Sequence, residues 1–318
     1  MTRGLMMDRP LLVSSIIDFA ADIRRGTEIV SARVEGDVHR TTYGDTAKRI
    51  AQLAHALSAH GVKFGDRVAT LAWNGYRHFE LYYGIGGIGA VCHTINPRLF
   101  TEQLIYVINH AEDRLLFLET SFVKLVEGVA DRLPKDLRYV ILCAPEDMPE
   151  TSLPNPLSYE ALLDGQSESI VWPEFEETTA CGLCYTSGTT GNPKGVLYSN
   201  RSTVLHSMGL LTVADGIGLR PGQSILPVVP LFHVNAWGLP YVMPLVGTRP
   251  VFPGPRLDGE SLFALMDQEQ VTAAWGVPTV WMGLLAEMRK HGRKPNGMEV
   301  VLIGGSAAPA PMIAEFER

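Results

Sequence analysis

Glycines, hydroxyl-bearing residues and one lysine are grouped in the stretch YTSGTTGNPKGV, residues 185–196. The glycines allow the backbone to adopt positive φ angles and to approach an anion closely. Successive backbone N–H groups can then surround phosphate oxygens, with hydroxyl donors and a positive charge beside them. This composition predicts a phosphate-binding loop. The residues that would form it are Thr186, Ser187, Gly188, Thr189, Thr190, Gly191 and Lys194.

Two other phosphate-binding patterns do not fit the sequence. A Walker A loop requires a glycine immediately before its lysine, and here Pro193 precedes Lys194. The segment GIGGIG, residues 84–89, matches G-x-G-x-x-G, but a predicted helix precedes it and a predicted strand follows it. The dinucleotide-binding fingerprint needs the opposite order. We interpret these glycines as small residues that let a helix end pack closely on a sheet.

Cys181 and Cys184 have the C-x-x-C spacing of metal and redox sites. They lie in a segment that is typical of a strand entering a loop. Residues three apart on a strand point to opposite faces of the sheet, so the two sulfur atoms should diverge. No second pair of Cys or His residues is nearby, and we therefore expect no metal or redox role.

Strand-like and helix-like segments alternate along the chain, which predicts an α/β fold with mostly parallel sheets and helices on both faces. One amphipathic helix begins at a capping pattern formed by Thr42 and Asp45, and Gly61 ends it. A polar linker, residues 145–177, separates two alternating runs, and we expect each run to form one sheet layer. Predicted strands of the later run lie near Ile225, Val251, Ala273 and Val300.

Composition excludes several classes of protein. The chain has 318 residues, of which 46% are hydrophobic, enough for a large core. A net charge of -7 gives no indication of nucleic-acid binding. No apolar stretch reaches the roughly 18 residues of a membrane span, and charged residues near the N-terminus interrupt any signal-peptide core. We expect a cytoplasmic protein.

The loop at residues 185–196 and three further stretches together resemble the AMP-forming adenylate-forming enzymes. These stretches are VPLFHVNAWG at 229–238, GVPTVW at 276–281 and VLIGGSAAPAP at 301–311. The first of the three is similar to the acyl-pocket motif of fatty acyl-CoA synthetases. The resemblance implies that residues 10–318 form two layered, mostly parallel sheets, the incomplete N-terminal AMP-binding domain of such an enzyme, without its C-terminal domain.

The resemblance implies carboxylate activation in two steps. The acid attacks the α-phosphorus of ATP with Mg²⁺ bound, giving an acyl-adenylate and pyrophosphate, and coenzyme A then displaces AMP. Lys194 and His233 would be catalytic, and Thr186 would share the Mg²⁺. The substrate acid would contact His233, Val234, Trp237 and Val277. The adenine would lie against Gly304, Gly305, Ser306, Ala307 and Ala308.

Two of these assignments have a plainer alternative. A single histidine beside Phe232 is also typical of a packed side chain, and a single tryptophan is more often a core residue. The resemblance favours His233 beside the reacting carboxylate, as a positioning group or a base. It favours Trp237 as the closure of the acyl tunnel.

The family pattern continues beyond residue 318 with an Mg²⁺-binding Glu, a ribose-binding Asp and a C-terminal domain that carries a catalytic Lys. We therefore expect the chain to be a fragment that is inactive by itself, with an exposed apolar helix face at Met312, Ile313 and Phe316. The expected substrate is a small carboxylic acid, with medium or long fatty acids favoured and 3-methylthiopropionate as an alternative. A nucleotide-binding remnant without catalysis is the non-enzymatic alternative, and a homodimer through this domain is the expected partner arrangement.

Overall fold

The structure is a computed structural model that describes residues 2, 4–186 and 192–317. The strands are β1 Glu28–Ala32, β2 Val38–Thr42, β3 Arg67–Leu71, β4 Val91–Thr94, β5 Leu115–Leu118, β6 Arg138–Ile141, β7 Leu157–Ser158, β8 Ala180–Thr186, β9 Lys194–Ser199, β10 Ser224–Pro227, β11 Arg249–Phe252, β12 Ala273–Gly276 and β13 Val300–Ile303. The helical segments are α1 Ser14–Ile23, α2 Tyr43–Ala59, α3 Tyr76–Gly87, α4 Thr101–Ala111, α5 Val123–Glu127, α6 Tyr159–Leu163, α7 Asn200–Leu211, α8 Val234–Trp237, α9 Leu239–Val246, α10 Gly259–Gln268, α11 Pro278–His291 and α12 Ala310–Phe316.

These strands form two sheets, which confirms the predicted fold class. One sheet has seven strands in the order β7-β6-β5-β3-β4-β8-β9, and the other has six in the order β13-β12-β10-β11-β1-β2. Neighbouring strands are parallel except for the pairs β1/β2 and β8/β9 at the sheet edges. Helices cover the sheets, as parallel strands that are buried on both faces require.

The predicted division of the sheets at the linker was wrong. The early strands β1 and β2 pair with the late strand β11, whereas β8 and β9 join the strands of the first run. β7 and α6 also lie within the predicted linker. The physical reason is that β4 is fully buried, so both of its edges need hydrogen-bonding partners, and β8 supplies one of them.

Helix α3 is buried along its whole length and packs between the two sheets. A Cβ atom at Gly84 would lie 2.5 Å from Leu53 Cδ2, and one at Gly86 would lie 3.1 Å from Val13 Cγ2 and 3.5 Å from Cys181 Cβ. Larger side chains would push neighbouring elements away. The interpretation of GIGGIG as a close-packing segment is therefore confirmed.

Cys181, Cys184 and the end of the chain were singled out from the sequence. Cys181 and Cys184 are buried free thiols, and the described residues contain no group of three His, Cys, Asp or Glu side chains that could hold a metal ion. The exposed apolar face expected at the end of the chain is wrong for Met312, which is buried in the core around α10 and α11. Phe316 is half-buried against Trp281, and Ile313 is exposed.

Local capping agrees with the sequence. The Asp45 backbone N–H donates to Thr42 Oγ1 at 3.2 Å, so α2 begins where the capping pattern predicts. In the part of the chain that the structure describes, every helix is too short or too polar to cross a membrane.

A network of partly buried ion pairs connects the β1–β2 turn to three helices. Arg77 pairs with Glu35 at 2.6 Å and with Glu160 at 2.9 Å. Arg49 pairs with Glu80 at 2.6 Å and with Glu160 at 2.9 Å. Because each charge has a partner, the network can be taken out of water without an isolated ion.

Glu119 lies beside this network after β5 but makes no ion pair with any described residue. Its residue is only 8% exposed, and burial raises its pKa from an ordinary 4.5 to about 8, opposed by the positive charge of Arg77. The folded protein therefore retains a proton on Glu119 that the unfolded chain loses above pH 4.5.

Glu119→Gln should remove a pH-dependent contribution to stability. In the unsubstituted protein this carboxyl group lowers the free energy of unfolding by about 1.4 kcal/mol for each pH unit between roughly pH 5 and pH 8. The neutral amide should abolish that contribution, which urea unfolding at several pH values measures. Glu150→Gln, at an exposed carboxylate, is the control. Identical slopes for the two variants would contradict the assignment.

Candidate active site

The β8–β9 hairpin brings together the two ends of the predicted phosphate loop. Thr186 and Lys194 are paired in its antiparallel register, and Thr186 Oγ1 donates to the Lys194 carbonyl at 3.4 Å. Both residues are exposed, so a ligand can reach them. The hairpin geometry thus places the predicted cation beside the start of the loop.

The other predicted residues of this loop lie outside the described residues, and their roles stay predictions. These residues are Ser187, Gly188, Thr189, Thr190 and Gly191.

The segment α8, which carries the predicted acyl-pocket residues, is a left-handed turn. The φ angles of Val234, Asn235, Ala236 and Trp237 are 47°, 50°, 46° and 56°. Residues with a Cβ pay roughly 1–2 kcal/mol each for this conformation, and a β-branched valine is especially disfavoured. Four such residues in succession require contacts with the surrounding structure that hold them.

Asn74 fixes the chain that leads into α8. Its side chain donates to the carbonyls of Pro227 at 2.7 Å and Val229 at 2.9 Å, and its Oδ1 accepts from the Leu231 N–H at 2.7 Å. The residue is 4% exposed. The sequence analysis missed Asn74, although a lone asparagine between the buried strand β3 and the glycine before α3 was an available signal.

Further contacts hold α8 against β4 and β8. Thr94 Oγ1 donates to the Phe232 carbonyl at 3.4 Å. Cys184 Sγ donates to Asn235 Oδ1 at 3.3 Å, and the Tyr82 hydroxyl donates to the Leu231 carbonyl. Because β8 continues to Thr186, the predicted acyl motif and the start of the phosphate loop lie on the same structural unit.

His233 immediately precedes α8. Its imidazole reaches solvent and makes no hydrogen bond to the described residues, while partial desolvation lowers its pKa below the ordinary 6.5. The side chain is therefore neutral at pH 7 and can donate one hydrogen bond and accept another.

The predicted adenine loop meets Trp237. A Cβ atom at Gly304 would lie 2.7 Å from Trp237 Cη2, and one at Gly305 would lie 3.1 Å from Val277 Cγ1. Gly305 also has a φ of 77°, so only glycine fits without strain at this point. The structure thus brings together Gly304, Gly305, Trp237 and Val277, which are far apart in sequence.

The remaining loop residues are placed differently. Ser306 and Ala307 are exposed, whereas Ala308 lines a separate cavity of about 410 Å³ beside Ile313 and Phe316. The structure therefore does not bring Ala308 together with Trp237, and its predicted adenine contact stays a prediction.

A cavity of about 280 Å³ opens on the other side of α8. One wall consists of Tyr198, Ser202, Thr203 and His206. The opposite wall consists of Val234, Asn235, Trp237, Gly238 and Tyr241. Val234 and Trp237 were predicted as substrate residues. The other members were not, because they come from β9, α7, α8 and α9 and meet only in the folded chain.

Gly238 allows these two walls to meet. Its φ is 83°, and a Cβ atom there would lie 2.6 Å from His206 Nδ1. His233 and Val277 do not line the cavity. Among the four predicted substrate residues, Trp237 is the one that both lines the cavity and contacts the glycine loop.

Comparison with known proteins identifies the family. The profile of the AMP-binding enzyme family matches residues 20–318. The chain belongs to this family. It is 49% identical over 315 residues to the 3-methylmercaptopropionyl-CoA ligase of Ruegeria lacuscaerulensis, covering 99% of this chain and 58% of that protein. It is 47% identical over 313 residues to the medium-chain-fatty-acid–CoA ligase of Ectopseudomonas oleovorans, covering 98% and 57%.

Solved structures agree with the fold. An anthranilate CoA ligase in complex with anthranoyl-AMP superposes with a TM-score of 0.85 at 22% identity, covering 98% of this chain and 58% of that one. A long-chain-fatty-acid–CoA ligase from Archaeoglobus fulgidus gives a TM-score of 0.82 at 20% identity, covering 98% and 61%. The chain spans 58% of the length of the Ruegeria ligase and 57% of the length of the Ectopseudomonas ligase.

Lys194→Ala tests the phosphate-binding end of the site. Loss of a charge-assisted contact should weaken ATP binding by ~1.5–3 kcal/mol without unfolding the protein, because the side chain is exposed. Isothermal titration of ATP measures the effect, with Lys63→Ala at another exposed lysine as the control. An unchanged dissociation constant for Lys194→Ala would refute the assignment.

Proposed function

We propose that the full-length gene product activates a carboxylic acid as its acyl-adenylate and transfers the acyl group to coenzyme A. The observation that carries this proposal is the position of Trp237, between the glycine loop after β13 and the 280 Å³ cavity. An adenylate has a flat base joined through phosphate to an acyl group. A shared wall between two subsites suits such a molecule.

In the first step a carboxylate oxygen bonds to the α-phosphorus of ATP and the bond to the β-phosphate oxygen breaks, releasing pyrophosphate. This step brings an anion to a polyanion, so donors and positive charge must offset the repulsion. We propose that Lys194 supplies the positive charge and that the predicted loop between Thr186 and Lys194 supplies the donors. In the second step the sulfur of coenzyme A, after its thiol proton has passed to solvent, bonds to the acyl carbon. The bond between that carbon and the phosphate oxygen breaks, and AMP leaves.

His233 suits a positioning role better than that of a base. A carboxylic acid is already ionised at pH 7, as a glutamate side chain is, so the first step needs no proton acceptor. A neutral imidazole can donate a hydrogen bond to the carboxylate. Because it carries no positive charge, it does not weaken the nucleophilicity of the carboxylate. The lowered pKa of His233 supports this role.

The described residues fit a magnesium ion that is bound chiefly through ATP. Thr186 supplies one exposed hydroxyl oxygen beside Lys194, and Mg²⁺ commonly takes its other ligands from phosphate oxygens and water. When bound, the ion would neutralise phosphate charge. We propose Thr186 as the protein ligand on this hairpin.

The cavity supports an acid of modest size. Its 280 Å³ lies just below the range of about 300–1,000 Å³ that is usual for ligand sites, and the rings of Tyr198, Trp237 and Tyr241 contribute apolar surface. We propose a medium-length fatty acid as the substrate. The similarity to a 3-methylmercaptopropionyl-CoA ligase favours 3-methylthiopropionate as the second candidate. We further propose a cytoplasmic location and a homodimer through this domain, which light scattering tests.

The deciding experiment uses the full-length gene product with octanoate or 3-methylthiopropionate. Acid-dependent exchange of labelled pyrophosphate into ATP reports adenylation, and AMP release that requires coenzyme A reports thioester formation. Both signals are expected with octanoate. ATP binding without exchange for either acid would favour a nucleotide-binding protein without catalysis, and exchange without use of coenzyme A would limit the activity to adenylation.

Trp237→Ala should alter chain-length preference in the same assay. Removing the indole enlarges the cavity, so kcat/KM should rise for longer acids relative to octanoate, while the affinity for ATP changes little. Trp172→Ala removes a partly buried indole outside the cavity and serves as the control. A core tryptophan would instead lose ~3–5 kcal/mol of stability on truncation. A variant that unfolds early and keeps the chain-length preference of the unsubstituted enzyme would contradict the role of Trp237 as the closure of the acyl tunnel.

A further inference from the structure

The left-handed turn α8 carries three wall residues of the cavity, yet its backbone conformation is unfavourable for three of its four residue types. Asparagine is the member that tolerates this region well, and Val234 is the least suited to it. Strained backbone persists only where the surrounding structure determines it. The contact that determines α8 should therefore be identifiable among its side chains.

Asn235 provides that contact. The residue is 6% exposed, and its amide points away from solvent toward β8 and α3. Its Oδ1 accepts a hydrogen bond from Cys184 Sγ at 3.3 Å and lies 3.4 Å from the Tyr82 hydroxyl.

We propose that Asn235 is a positioning residue that sets the acyl specificity of the site by holding α8 in its left-handed form. Its amide oxygen, which accepts the hydrogen bond from Cys184 Sγ, determines where Val234 and Trp237 lie in the cavity wall. Trp237 in turn lies against Gly304. This inference rests on the proposed function, because it assumes that the cavity receives the acyl chain.

Two roles of Asn235 can be separated by substitution. Asn235→Gly retains full tolerance of positive φ but removes the amide. If conformational tolerance were all that mattered, this variant would behave as the unsubstituted enzyme. If the hydrogen bond of the Asn235 amide matters, α8 loses its fixed position in this variant, and an acid bound against α8 loses its orientation. A displacement of reacting groups by about 1 Å lowers the reaction rate roughly a hundredfold.

The test measures steady-state kinetics of the full-length gene product with octanoate and ATP. For Asn235→Gly we expect the KM for octanoate to rise roughly tenfold or more, or kcat/KM to fall by as much, while the KM for ATP stays within about twofold. Far-UV circular dichroism and urea unfolding confirm that the variant is folded. Kinetic constants for octanoate within about twofold of the unsubstituted enzyme would overturn the proposal.

A matched pair on the other side of the contact keeps the test decisive if Asn235→Gly does not fold. Cys184→Ala removes the donor to Asn235, whereas Cys184→Ser retains an O–H donor at the same position. We expect the alanine variant to show the raised KM for octanoate. The serine variant should have a KM for octanoate close to that of the unsubstituted enzyme. Equal kinetics for the two variants would overturn the proposal.

A spectroscopic readout separates this inference from the proposed function. Acrylamide quenching of Trp237 fluorescence, taken as the difference between each protein and its Trp237→Phe counterpart, needs no substrate. Asn235→Gly should make Trp237 more accessible to the quencher. Unchanged quenching would contradict the role of Asn235 in holding α8. Absence of acid-dependent exchange in the unsubstituted enzyme would overturn the proposed function, whereas the quenching result would still decide the role of Asn235 in holding α8.

Discussion

The side-chain amide of Asn74, buried at the end of β3, makes three hydrogen bonds to the backbone that follows β10. β3 belongs to the seven-stranded sheet and β10 to the six-stranded sheet, so these bonds join the two halves of the fold. A buried polar group left without a partner costs ~1–3 kcal/mol. The segment before His233 therefore cannot slide relative to β3 without several such losses.

The position of this segment determines how the candidate site is assembled. It delivers α8 to the space between β8, which leads to the phosphate-loop hairpin, and the glycine loop after β13. Trp237 consequently contacts the glycine loop on one side and the cavity on the other. In the proposed function, charge, base recognition and acyl binding are assigned to separate elements, and one strained turn connects them.

Sequence patterns predicted the local features well and the long-range ones poorly. Thr42 indicated the start of α2, because a helix cap depends only on neighbouring residues. The phosphate loop stays a prediction from the same kind of local pattern. Hydrophobic periodicity reports burial but not the partner strand, so it could not show that β1 pairs with β11. The left-handed form of α8 depends on contacts with distant residues such as Tyr82, and no local pattern encodes it.

The central claim is that one turn forms the wall between an adenylate-base subsite and an acyl cavity. The most direct measurement is a crystal structure of the full-length gene product with a non-hydrolysable octanoyl-adenylate analogue. The account predicts that the base lies against Gly304 and Gly305, and that the octanoyl chain enters the cavity between α7 and α9, beside Trp237. An acyl chain bound elsewhere, with the 280 Å³ cavity empty, would contradict it.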